Sequence, residues 1–186
     1  ALKGEDSSRE PAFALLDELE NAAVWYRALG DAYDERWTDP ELKSCREHVR
    51  VLSLFDVSQH YPLLLACFAR SFEFSRIPTI LRACLTVFFR HTIVAQRSPS
   101  ELELRFNQLA IAVSEGKLKS PRDIWLGIGG KDGLRDVYVA DDDFREAFSR
   151  FELSRARKAR LPRYILFTID ASLNAPAADS QTSPET

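Results

Sequence analysis

Methionine is missing from all 186 residues, and cysteine occurs only three times. No unbroken apolar run approaches the roughly 20 residues needed to cross a bilayer; the longest, such as Tyr61 to Ala69, have the length of a core helix. With no initiator at position 1, the chain is expected to begin inside a longer polypeptide. Cys45, Cys67 and Cys84 are scattered, odd in number and set among apolar residues. That pattern argues against a disulfide framework and for reduced thiols in a cytosol. The N-terminus has no basic region followed by an apolar one, so it does not read as a signal peptide. No membrane association is expected.

What is present is an ordinary globular composition, 45 % hydrophobic and 28 % charged, with a formal net charge of −3. This charge gives no global attraction to nucleic acid. The distribution is uneven: Asp17, Glu18, Glu20, Asp31, Asp34, Glu35, Asp39 and Glu41 make the N-terminal part acidic, whereas Arg150 to Arg163 is strongly basic.

Apolar spacing predicts helices along most of the chain. Pro11 to Leu29 places Leu15, Leu16, Leu19, Ala22, Ala23, Tyr26 and Leu29 on one face, with Gly30 as the stop. Thr38 is positioned to cap a second helix whose inward stripe is Leu42, Cys45, Val49, Leu52 and Val57 or Phe55. Pro62 opens a third, from Leu63 to Phe72. The fourth, Pro78 to about Gln96, is apolar nearly all round and belongs in the middle of a bundle. Ser98 and Pro99 start a fifth, with Leu102, Phe106, Leu109 and Val113 inward and Gly116 at its end.

Ser120-Pro121 opens a short helix, and Asp141, Asp142 and Asp143 head another with Phe144, Ala147, Phe148 and Phe151 as its core side. The segment Tyr164 to Ile169 has strand-like composition, but Pro162 and its surroundings favour helix. The expected fold is all-α, one bundle of six or seven helices over residues 1–173, with 174–186 a disordered tail or linker.

Catalytic patterns are scarce. A phosphate-binding loop needs a glycine five residues before Gly130 and a hydroxyl residue after Lys131, where this chain has Trp125 and Asp132. Gly127 to Gly133 therefore reads as a flexible connection. His48 follows Cys45 at a spacing suited to two metal ligands, but no second pair completes a closed shell. His60 reads as a loop or capping residue and His91 as a satisfied, partly buried histidine. The Asp141–Asp143 run is explained by a helix N-terminus without a cation. No catalytic residue, cofactor or metal is expected.

Two basic features remain. Arg150, Arg155, Arg157, Lys158, Arg160 and Arg163 crowd a short stretch that either contacts nucleic-acid phosphates or forms solvated surface pairing with the acidic N-terminal region, the second reading weighing somewhat more. Arg82 and Arg90 lie on the one polar stripe of the fourth helix. They are candidates for internal ion pairs first and for phosphate contacts at a domain interface second.

Leu85–Ile93, Glu101–Ala110, Asp142–Phe148 and Arg160–Asp170 together resemble the helical region of GmrSD-type, modification-dependent restriction proteins. The family's plan is a ParB-like nucleotidase, a helical middle and a C-terminal His-Asn-His nuclease. The resemblance spans most of the chain but rests on helix-facing residues, not on catalytic strings. Asp132-Gly133-Leu134-Arg135 lacks the glutamine of the nucleotidase motif, and no histidine follows Ile169. What the resemblance implies is a non-catalytic connector within a bacterial phage-defence nuclease, partnered by nucleotidase and nuclease modules and by duplex DNA. Arg155, Arg157, Lys158, Arg160 and Arg163 are its candidate phosphate contacts. The competing expectation is a helical protein–protein interaction or assembly module that touches no nucleic acid.

Overall fold

The computed structural model describes residues 6–70, 72–152 and 160–174, with the side chains of 6–12, 160 and 171 left aside. The chain divides into two compact units, Ala1–Phe151 and Glu152–Thr186, a boundary inside the stretch read above as one helical domain. The fold is all-α, with eight α-helices and one two-stranded hairpin among the described residues.

In the first unit, α1 (Asp6–Gly30) is followed by the 3-10 turn Glu35–Thr38, α2 (Cys45–Leu54) and α3 (Tyr61–Ala69). Next come α4 (Ile77–Phe88), continued as a π-helix through Phe89–Val94, and α5 (Pro99–Ser114). After α6 (Pro121–Leu126) come the strands β1 (Gly127–Ile128) and β2 (Lys131–Asp132), the 3-10 turn Leu134–Val137, and α7 (Asp141–Ser149). The second unit contains α8 (Arg160–Leu173). The segment left between strand and helix is therefore helical, as its proline-led start and polar i, i+4 positions allow.

The core is built where the spacing predicts. α3 lies chiefly against α5 and α1, and α2 lies against α4. Leu63, Leu64 and Cys67 of α3 are buried with Ile80, Leu81, Cys84 and Val87 of α4. Leu102, Phe106, Leu109 and Val113 of α5 are buried as expected. Each fully buried large side chain contributes about 1.5–3 kcal/mol. The continuous helical stretch Phe74–Val94 is long and apolar enough to cross a membrane by length and composition, although charged residues interrupt its apolar run. Half of that window is buried inside the unit, as in a central bundle helix.

Several expectations are corrected. The second helix starts at Cys45, not Thr38: Thr38 ends a 3-10 turn, where its hydroxyl donates to the Glu35 carbonyl. That turn closes the end of α1, since the buried Trp37 indole donates to the carbonyls of Ala28 and Asp31 at 3.1 and 2.9 Å. The glycine-rich connection is an ordered antiparallel hairpin with Ile128 opposite Lys131. Gly129 and Gly130 both have positive φ (61° and 79°), as a two-residue hairpin turn requires. A β-carbon on Gly127 would lie 1.9 Å from the Lys131 carbonyl oxygen, so only glycine fits. α7 has no buried residue; Phe144, Phe148 and Phe151 instead form a half-exposed ladder of stacked rings.

The largest departure concerns α1. Its inward face is Trp25, Ala28 and Leu29, with Trp25 stacked on Phe68 at 3.9 Å. The stripe expected to face inward points outward along its N-terminal half.

Candidate functional site

The residues singled out in the sequence fall in different environments. Arg90, at the start of the π-helical segment, is largely buried, its side chain 14 % exposed. Its guanidinium donates to the Tyr138 hydroxyl and to Asp141 at the start of α7. It also lies 4.4 Å from the Tyr138 ring centroid and 4.3 Å from that of Phe144. Such a cation–π sandwich with a carboxylate at one edge is a fastening of α7 to α4. Arg97 lies 3.7 Å from Asp143 on the same helix start. The acidic head of α7 is thus taken up by arginines, as well as by the helix dipole. Arg82 is exposed and has no ion pair among the described residues.

Arg155, Arg157 and Lys158 lie outside the described residues, as does the side chain of Arg160. Arg163 is exposed on α8. Residues 175–186, read as a tail, also lie outside them.

The titratable groups singled out in the sequence sit in separate surroundings. His60 is fully buried at the N-cap position of α3, the capping place read from the sequence, although its side chain makes no capping hydrogen bond. Neither of its ring nitrogens has a partner among the described residues, and burial pushes its pKa down to about 3. His91 is also fully buried, more so than expected. Its Nε2 lies 3.2 Å from Glu101 Oε2, while Nδ1 has no partner among the described residues. Burial lowers its pKa against the opposing pull of Glu101, so Nε2–H of the neutral ring donates to the carboxylate. The ring is closed off from solvent, while the Glu101 side chain is 56 % exposed.

Cys45, Cys67 and Cys84 are free and buried, and burial raises each thiol pKa, to about 12 for Cys45 and Cys67. None is a ready thiolate nucleophile. Cys45 is buried while His48 directs Nδ1 to the Ser44 carbonyl, and no group of three metal-ligating side chains occurs among the described residues.

A cavity of about 320 Å³ lies between the start of α4 and the end of α5. Of its cations, Arg70 donates to the Ser114 carbonyl and Arg76 is paired with Glu73 at 2.8 Å. Of the three lining cations, Arg70, Arg76 and Lys119, only Arg76 has a carboxylate partner among the described residues.

The feature that stands out is the outward face of α1. Phe13, Leu15, Leu16, Leu19 and Tyr26 are between 53 % and 62 % exposed. At 100° per residue, Leu15, Leu16, Leu19, Ala22, Ala23 and Tyr26 fall within one third of the helix circumference, with Phe13 about 60° outside that arc. The packed side of the helix adjoins that arc: Leu29 lies about 20° from Ala22 on the wheel, with Trp25 and Ala28 beyond it. Glu18 lies on one margin and Glu20 on the other, with Asp17 on the far side; all three are exposed and without an ion pair among the described residues. Contiguous exposed apolar patches of about 300–600 Å² on a protein surface are often functional.

Sequence reasoning found these residues but assigned them inward, because periodicity reports that a face is apolar, not what covers it. Only the acidic margins distinguish the stripe from a core stripe. Comparisons with family models, curated proteins and solved structures find no match for this chain.

Proposed function

We propose that this chain is a helical interaction module that joins a larger assembly through the outward face of α1. The observation that carries the reading is the row Leu15, Leu16, Leu19 and Tyr26, exposed on an otherwise ordered helix. A solvated apolar stripe costs free energy that docking recovers. The description of the chain as a connector in a modification-dependent restriction assembly rests on the resemblance alone and is compatible with this role.

Site-specific photo-crosslinking of the intact chain in its host tests the reading. A crosslinker at Leu16 is expected to give a discrete adduct that one at Glu103, exposed on α5, does not. No adduct at Leu16, or equal labelling at both positions, rejects it.

Duplex DNA contact is the second reading, favoured by the exposure of Arg163 beside the basic run. In the first unit Arg50, Arg76, Arg90, Arg105, Arg145 and Arg150 each have a carboxylate within 3.2 Å, whereas Arg82 is exposed without one among the described residues. Replacing Arg155, Arg157, Lys158, Arg160 and Arg163 with glutamine is expected to weaken DNA binding and flatten its salt dependence if this reading holds.

A further inference from the structure

We infer that the occupant of the α1 face is an amphipathic α-helix with basic flanks, supplied by a different protein. The inference rests on the assembly reading above and deepens it by naming the partner's chemistry. The face has the length and shape for a helix: Leu15, Leu19, Ala22 and Tyr26 follow a spacing of four, three and four residues, the seam along which two helices pack.

Charge selects among possible occupants. From Glu10 to Tyr26 the sequence carries Glu10, Asp17, Glu18 and Glu20 and no basic residue. Glu18 and Glu20 bracket the seam, in the place where flanking charges of paired helices meet. A second α1 would bring the same carboxylates face to face, and like charges so placed are destabilising. An anionic bilayer or a nucleic-acid backbone is repelled for the same reason. Lysine or arginine on both margins of an apolar stripe satisfies the carboxylates and covers the leucines together. The cations of α1 are Arg9, one residue before this stretch, and Arg27, one residue after it, which is 3.9 Å from Asp34.

The test uses the intact chain and two synthetic helical peptides of about 18 residues, long enough to hold a helix. Both have leucine at i, i+3, i+4 and i+7 positions; one has lysine flanks and the other glutamate. Binding is followed by fluorescence anisotropy at low and high salt, with light scattering of the chain alone. The lysine peptide is expected to bind at least about 10-fold more tightly than the glutamate peptide, with affinity falling as salt rises.

The combined variant Asp17→Asn, Glu18→Gln, Glu20→Gln is expected to bring the two peptides to within about 3-fold. The variant Leu15→Gln, Leu19→Gln is expected to abolish binding of either peptide while keeping the thermal unfolding midpoint, which separates loss of the face from loss of the fold. Equal binding of both peptides overturns the proposal, as does no binding or self-association of the chain through this face. If the Leu16 adduct persists in any of those cases, the partner chemistry fails and the assembly reading stands. Without the adduct, both fail.

Discussion

Between Leu15 and Tyr26, and again between Ile77 and Phe88, large apolar residues recur at helical spacing, yet one stripe faces solvent and the other is buried. Length accounts for the difference. At 1.5 Å per residue, the 25 residues of α1 reach about 37 Å, whereas the nine of α3 reach about 13 Å. α3 meets the C-terminal half of α1, through Trp25 with Phe68 and Tyr26 with Tyr61, and ends before the N-terminal half. α4 is of middling length and has α2, α3 and α6 beside it. The same kind of stripe is core where neighbours are present and surface where they are not.

The contrast is sharpest in stability. Phe106→Ala or Leu63→Ala, each in the fully buried interior, is expected to cost about 2–5 kcal/mol, read from the urea unfolding midpoint. A cost near that of a surface site would show that the interior is not packed as described.

Acid should expose the next weakness of the core. The pKa of His60 near 3 lies below its ordinary value of 6.5, so the unfolded chain binds a proton that the folded one excludes. Stability contributed by the neutral ring is full above pH 6.5 and falls as pH drops toward 3. At pH near 4.5 the loss is expected to be about 2–3 kcal/mol. His60→Leu removes most of that slope; an unchanged pH profile would refute the assignment. His91, its pKa lowered by burial, adds loss in the same direction.

Arg90→Ala breaks the fastening of α7 and is expected to cost about 1–3 kcal/mol, with α7 amides exchanging faster than those of α5. Arg90→Lys should rescue little, because a lysine cannot reach the Tyr138 hydroxyl and Asp141 from the two ends of a planar group while stacking on two rings. The smallest effect belongs to the exposed stripe. Leu15→Gln with Leu19→Gln should move stability by no more than about 0.5 kcal/mol. A core-sized loss there would erase the distinction between the two stripes.

How much of this was legible depended on the range of the interaction. Pro62, Pro99 and the Ser120-Pro121 pair marked helix starts because proline at a first turn acts locally. Ser120 indeed accepts a hydrogen bond from the Asp123 N–H at 3.1 Å. The inward residues of α5 were legible because α3 lies along that helix. The hairpin was misread as a flexible link, since two residues per strand carry no periodicity. Thr38 misled because a hydroxyl before Asp39-Pro40 suits either a helix start or the end of a 3-10 turn, and Trp37 docking onto α1 decides between them.

Of the candidate site, Arg90 was visible as an arginine on an apolar helix, but Tyr138, Asp141 and Phe144 are about 50 residues away and no spacing rule links them. The outward face of α1 was visible residue by residue and invisible as a surface.

By itself, then, the sequence determined the helical content, the order of elements and the residues able to leave water, because these follow from backbone propensity and local periodicity. Only the tertiary structure decided which apolar faces were used, which arginines were spent on internal carboxylates, and which histidines lost their solvent. Those outcomes depend on what stands beside a helix, and neighbours brought together by folding are set by the whole chain at once.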